Sequence, residues 1–481
     1  MSDSHDRYSS PLAERYASRE MLALWSPQTR HGLWRRLWLA LAEAERDIGA
    51  RVVIPDEALA QMRDHLDDID FAAVREYEKR FRHDVMAHVH AFGDVAPAAR
   101  PYIHLGATSA YVTDNADLVL MRRGLELLRR TIVETLRALA AFAAEWREEP
   151  ALAYTHLQPA QLTTVGKRAT LWMQDLVLDL ADLDRRIGEL PMRGVKGTTG
   201  TQASFLELFD GDHGKVRRLD AAVAQAMGFA RTLPVTGQTY TRKLDAHVLG
   251  VLSGIAASAA KFAGDIRVLQ SFGEIEEPFE KEQIGSSAMA YKRNPMRAER
   301  ISGLARFVIS LEENANHTHA VQYFERTLDD SANRRLVIPE AFLATDAILL
   351  LMANIARGLE VHPARIRRRV ADELPFMATE ALIVRAVEAG GDRQAVHETI
   401  RRHSIAAARA VKDEAAPNDL LARLASDPAF PLRSEALHDL TEPARFVGRA
   451  PRQVEEFLEE VLEPLLADSQ EAEAALEAPR V

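Results

Sequence analysis

The chain contains no cysteine in 481 residues. Disulfides, thiolate nucleophiles and cysteine-held metals are thereby excluded, while the compartment stays open, because a cytosolic protein does not require the residue. Positive charge is also in the minority: 60 Lys and Arg face 71 Asp and Glu, a formal net charge of -11. A broad basic surface for nucleic acid or an anionic membrane is therefore not expected, and an anionic substrate needs locally gathered arginines. No uninterrupted apolar run approaches the roughly 20 residues that span a bilayer. The most apolar stretch, Ala347 to Met352, is closed off by Asp346 and Asn354. The segment Met1 to Arg7 is polar and carries acids, so a cleaved signal is not expected and the cytoplasm is the default location. Alternation long enough for a major sheet is missing, as is any repeat of roughly 20 to 50 residues.

What is present is helical periodicity. Up to about residue 110 the helices read as short and often broken: Trp34 to Ala44 is amphipathic, Pro55 and Asp56 open another, and Phe71 to Glu78 suggests a third. From Thr113, a plausible N-cap, Leu118, Met121, Leu125, Leu128, Ile132, Leu136 and Leu139 recur at steps of three and four until Pro150. Trp172, Leu176, Leu180, Leu183 and Ile187 repeat the pattern before Pro191, and Leu244, Val248, Val251, Leu252 and Ile255 repeat it within Thr241 to Phe272. Arg297 to Val321 and Ala332 to Arg357 add two more. At 1.5 Å rise per residue the third of these is about 45 Å long. Such rods imply an all-α chain of three helical domains around a central bundle of five long helices, with boundaries at 1–110, 111–361 and 362–481. Gly358 and Pro363 punctuate the end of the bundle. The basic run Ile366-Arg367-Arg368-Arg369 reads as a solvated helix face, and an Ala/Glu-rich tail begins at Ala467. Apolar stripes this wide also predict burial against other copies of the chain, hence a homo-oligomer.

The polar clusters sit between these rods. Gly285-Ser286-Ser287-Ala288-Met289-Ala290-Tyr291-Lys292-Arg293-Asn294-Pro295 sets two hydroxyls near fixed positive charge, which favours an alkoxide or a bound carboxylate. Pro278 and the charge around it are expected to stop the preceding helix, and Gly285 to free the backbone of a mobile loop. His83, His88 and His90 have the wrong spacing for a helical metal pair, His83 and His88 lying about 140° apart, so they read as hydrogen-bonding histidines at a helix start. The stretch Gly194 to Thr201 matches no phosphate-loop pattern and reads as a flexible connector. By composition alone, Thr108-Ser109, Thr155-His156 and Gln238 are loop or cap residues.

Taken together, the order and content of these clusters carry a resemblance. The Ser286 stretch resembles the signature loop of the fumarase/aspartase superfamily, usually Gly-Ser-Ser-x-Met-Pro-x-Lys-x-Asn-Pro, and its Tyr-Lys-Arg-Asn-Pro ending is similar to that of the adenylosuccinate lyases. The likeness runs from Arg15 to about Leu462, nearest the animal form, with Ala290 standing where the family has proline, a change expected to loosen the loop. The resemblance implies β-elimination of fumarate from the succinylated nitrogen of adenylosuccinate and of succinylaminoimidazole carboxamide ribotide, with no metal, nucleotide or redox cofactor. It implies Ser286 as the base, its pKa altered in the closed loop, Lys292 as stabiliser of its alkoxide, His156 as the acid and Glu299 as the carboxylate orienting the histidine. Thr108, Ser109, Thr155 and Gln238 correspond to positions holding the succinyl group. Arg15, Tyr16, Arg326, Ser331 and Arg335 correspond to those gripping phosphate and its surroundings, and His83, Asp84 and Arg300 to further substrate-site positions. It also implies a homotetramer in which three subunits complete each site. Related readings are another lyase of the superfamily, such as an argininosuccinate lyase or a fumarase, and a non-catalytic scaffold on the same fold.

Overall fold

The computed structural model describes residues 6–439, 441–467 and 476–479; most of the Ala/Glu-rich tail and the first five residues lie outside this range. Five rods dominate it: Ser109–Glu145, Val165–Glu189, Lys243–Phe272, Met296–Ala320 and Asp329–Gly358. The periodic residues of the first rod, from Leu118 to Leu139, are all fully buried, and so are Trp172, Leu176, Leu180 and Leu183 of the second. Their spacing puts them on one face, and that face packs inward. The first rod packs on the second and fifth, and the third lies along the fourth. At Gly124 the first rod has no side chain because the Phe342 ring of the fifth lies against its backbone; a Cβ there would stand 2.6 Å from the ring.

The third and fifth rods are long and apolar enough to cross a membrane by length and composition, a property not evident from the short Ala347 to Met352 run. Of the most apolar window of the fifth, 83% is buried inside the protein, as expected of a core helix. One continuous core joins the short N-terminal helices to the rods and takes in Val454 and Leu462 near the end of the chain, while Ala378 to Leu437 enclose a second, smaller core.

Three local expectations change, and one minor feature is added. The first rod starts at Ser109, with Thr108 at the N-cap, and Thr113 instead turns its hydroxyl back to the Ser109 carbonyl at 3.3 Å. The third rod is ended by Gly273 rather than Pro278. Gly273 adopts φ 69°, and the Glu274 N–H returns to the Leu269 carbonyl at 3.1 Å, a left-handed cap that glycine adopts without a Cβ penalty. Gly194 to Thr201 is no flexible connector. Arg193, fully buried, donates to the carbonyls of Gln238, Gly194 and Gly197, and buried Lys196 meets Asp220 at 2.6 Å. Cations taken out of water need fixed partners, and these pin the segment. Finally, two small antiparallel ribbons stand between the rods: β1 (Pro150–Thr155) with β2 (Gln158–Thr164), and β3 (Ile275–Glu276) with β4 (Glu360–Val361). Strands this short leave little alternation to read.

Candidate active site

The largest group of expected site residues meets at a cleft where the first and fifth rods begin. His83, Asp84, Thr108, Ser109, Gln238, Arg326, Ser331 and Arg335 line one cavity of about 730 Å³. His83 caps the helix Asp84–Val95, its Nδ1 accepting the Met86 N–H at 3.4 Å, while Nε2 stands 3.4 Å from the Ser109 hydroxyl. Arg335 pairs with Asp84 at 2.8 Å, and Arg326 donates to the Gln238 side-chain carbonyl at 3.0 Å. Two guanidiniums and two hydroxyl-bearing turns face one space, which suits an anionic ligand.

A second cavity, of about 500 Å³, shares Asp84, Arg326, Ser331 and Arg335 and runs inward over a buried ionic network. Arg242 meets Asp330 at 2.7 Å and Asp114 at 3.1 Å; Arg334 meets Asp245 at 2.6 Å and Asp117 at 3.1 Å. Burial alone would raise the Asp114 carboxyl, yet Arg242 and Arg334 outweigh it and hold it below its ordinary value. This network fixes the first turns of three rods under the cleft. No local motif announces it, because its members are spread from Asp114 to Arg334; the one signal is charge falling in register with apolar stripes. His88, expected to hydrogen-bond at the helix start, instead stacks on His31 with ring centroids 3.9 Å apart. Burial lowers His31 to about 4 and His88 to about 3, so both rings are neutral at pH 7.

Arg15, Tyr16 and Arg300 form another group. The Arg300 guanidinium lies 5.5 Å from the centre of the Tyr16 ring, and burial together with the nearby Arg15 draws its pKa down.

Thr155 and His156 stand at the tip of the β1–β2 hairpin, both exposed. Thr155 pairs with Gln158, so His156 and Leu157 make a two-residue turn, with φ of 55° and 57°. Such turns ordinarily carry Asn-Gly, and side chains with a Cβ are strained there. A His-Leu turn therefore gives up local stability while presenting the imidazole to solvent.

Ser286, Lys292 and Glu299 belong to the signature loop and the first turn of the fourth rod. The Ser286 Oγ accepts the backbone N–H groups of Ala288 and Met289 at 3.3 and 3.1 Å, an arrangement that favours negative charge on that oxygen. Gly285 is required by close approach, since a Cβ would stand 2.1 Å from the Lys292 carbonyl oxygen. The Asn294 amide closes the loop onto the Gly285 carbonyl at 2.7 Å. Arg293 anchors it to the second ribbon, forked onto Glu360 at 2.7 and 2.8 Å and meeting Glu276 at 3.0 Å. Glu276, Glu360 and His362 bring three ligand-type atoms within 4.8 Å, but the Arg293 guanidinium already supplies the positive charge between the carboxylates. Glu277, which sequence reasoning passed over, accepts the N–H groups of Arg297 and Ala298 at 3.0 and 2.9 Å and so caps the fourth rod.

Within one chain, neither His156 nor Ser286 lines the cavity that gathers the eight cleft residues.

A bundle of long rods with polar residues at their ends and a Gly-Ser-Ser loop before the fourth defines a lyase of the fumarase/aspartase type. Residues 18–310 match the family model described as lyase, and residues 375–457 the one described as adenylosuccinate lyase C-terminus. Among solved structures, the fumarate lyase from Mesorhizobium sp. BNC1 superposes with a TM-score of 0.78 at 25% identity, over 94% of this chain and 99% of that one. The 3-carboxy-cis,cis-muconate lactonizing enzyme from Pseudomonas putida shares the fold, with a TM-score of 0.80 at 24% identity over 94% and 98% of the two chains. The adenylosuccinate lyase of Saccharomyces cerevisiae is 54% identical over 95% of each chain, and that of Schistosoma mansoni 45% identical over 96% of this chain and 97% of its own. The chain belongs to the adenylosuccinate lyase family.

Proposed function

We propose that the chain eliminates fumarate from adenylosuccinate, giving AMP, and from succinylaminoimidazole carboxamide ribotide. The observation that carries this reading is the cleft itself, where Arg326, Ser331 and Arg335 face Thr108, Ser109 and Gln238, together with 54% identity to a named relative over almost the whole chain.

In this reading Ser286 takes the proton from the carbon beside a succinyl carboxylate. The backbone N–H groups of Ala288 and Met289 and the charge of Lys292 stabilise the Ser286 oxyanion, and Lys292 also meets the charge developing on the carboxylate. The C–N bond breaks with its electron pair passing to nitrogen, the fumarate double bond forms, and His156 delivers a proton to that nitrogen while Glu299 orients the imidazole. Thr108, Ser109, Thr155 and Gln238 hold the succinyl group. Arg326, Ser331 and Arg335, with Arg15 and Tyr16, hold phosphate and its surroundings, and His83, Asp84 and Arg300 complete the binding site. All of this is acid–base and electrostatic chemistry performed by side chains and backbone.

Separation of the cleft residues from His156 and Ser286 within one chain supports a homotetramer whose sites draw on several subunits, and the same reading keeps the division at 1–110, 111–361 and 362–481 and a cytoplasmic location. Sedimentation should give a tetramer, and an active monomer would refute shared sites. The deciding assay is ultraviolet absorbance with adenylosuccinate beside argininosuccinate and malate. Selective cleavage of adenylosuccinate is expected, and reaction with another of the three instead would identify a different lyase. His156→Ala and Ser286→Ala should each lower turnover by at least about 100-fold while nucleotide still binds; near-normal turnover in either removes that role.

A further inference from the structure

The hairpin tip that carries His156 is weakly held by its own ladder. The β1–β2 register shifts between Ala153 and Tyr154, and beyond that irregularity only Tyr154↔Pro159 and Thr155↔Gln158 remain paired. Pro159 has no N–H to give the ladder, and the two turn residues adopt left-handed backbone that would relax if released. Something outside the hairpin must fix the tip. The contact to that support is made by the hairpin's own Tyr154, two residues before His156. Its ring packs on Phe272, centroids 5.3 Å apart, and its hydroxyl accepts from the Arg369 guanidinium at 2.9 Å.

Arg369 comes from the helix Pro363–Met377, well after the bundle in sequence, and belongs to the basic run that read as a solvated face. It is in fact committed in three directions. Besides Tyr154, it lies over the Phe272 ring at 4.1 Å and pairs with Glu274 at 2.7 Å. Glu274 is 1% exposed, and the guanidinium held against it is its direct compensation and cannot easily move away. Arg365 of the same helix ties it to the Phe272 carbonyl at 3.0 Å. The anchor is therefore rigid on the side away from His156.

We propose that Arg369 is a positioning residue for the elimination, holding the His156 hairpin through the Tyr154 hydroxyl. This rests on the reading of His156 as the acid. Loss of the anchor leaves the Arg326–Arg335 cleft intact, because neither Tyr154 nor Arg369 lines it, but frees the tip that carries both Thr155 and His156 and lets the imidazole wander from the departing nitrogen. Ångström-scale misplacement of a reacting group costs up to about 100-fold in rate.

Tyr154→Phe removes the hydroxyl and keeps the ring against Phe272. We expect kcat to fall about tenfold with KM rising by a smaller factor through Thr155 on the same tip, and Arg369→Met to act in the same direction, with Arg369→Lys restoring part of the rate. The decisive comparison is Tyr154→Phe placed in His156→Ala, read by single-turnover kinetics. Most of the loss in rate is expected to vanish there, since it acts through the missing imidazole, leaving only the smaller effect through Thr155 on the same tip. An undiminished tenfold loss in that background, or wild-type kcat in both Tyr154→Phe and Arg369→Met, overturns the proposal. Should His156→Ala itself turn over normally, the acid assignment fails instead, a result separate from either outcome for Tyr154.

Discussion

Gly285→Ala should switch off the reaction without loosening the fold. The added Cβ would stand 2.1 Å from the Lys292 carbonyl oxygen and 3.2 Å from the Phe279 ring. Closest approaches of a Cβ stop at about 3.0 Å, so the two halves of the loop must part by at least about 0.9 Å, and the obstacle is backbone that no rotamer change can clear. Ser286 and Lys292 flank that contact and move with it. A displacement of about 1 Å costs about 100-fold, equivalent to about 2.7 kcal/mol of transition-state stabilisation. Most of the loop is exposed although Gly285 itself is buried, so the strain falls on the loop and not on the apolar faces of the rods, and unfolding of the bundle should change by less than about 1 kcal/mol. Turnover of adenylosuccinate by absorbance, set beside a circular dichroism melt, reads both quantities. A kcat within threefold of wild type, with the melt unchanged, would refute the claim that this close approach positions Ser286 and Lys292 for the proposed elimination.

Two further outcomes concern the core. Glu45 is fully buried, neither carboxylate oxygen has a hydrogen bond, and burial pushes it up to about 8. A carboxyl raised in the folded state stabilises it while protonated, so wild-type stability should fall as pH rises from about 4.5 to 8; Glu45→Gln should remove that slope, gaining a few kcal/mol at pH 8 and almost nothing at pH 4.5 in denaturant titrations. A parallel slope in the variant would contradict the buried, neutral Glu45. Arg242→Met removes the paired cation of Asp330 and the nearest cation of Asp114, each 2% exposed, and should cost about 3–5 kcal/mol by the same titrations. A loss under about 1 kcal/mol would mean the network is not what holds the rod ends.

The rods were legible because burial of a helix face forces a three-and-four spacing, and residues such as Leu125, Leu128 and Ile132 sit where that spacing puts them. Helix ends were read less well where two breakers competed: Gly273, able to take φ 69°, acted before Pro278 could. The first ribbon was missed because its turn is His156-Leu157, which carries no Gly or Asn to announce it. Arg242, Asp114 and Arg334 escaped notice for a different reason, since their partnership exists only after rods separated by many residues have packed. Arg369 sat in plain view, but a basic run on a helix looks solvated until its neighbours are known.

The order of the rods along the chain also sets a timetable for its making. The first rod ends at Glu145, yet its Gly124 surface is covered by Phe342 of the fifth, which is complete only at Gly358. At about 5–20 residues per second, a ribosome takes roughly 10–40 s to cover that interval. Throughout it, the stripe destined for the fifth rod is open to water and to other nascent chains. The newborn protein is therefore most vulnerable in the middle of its synthesis, and whatever shields it must act before the last rod arrives.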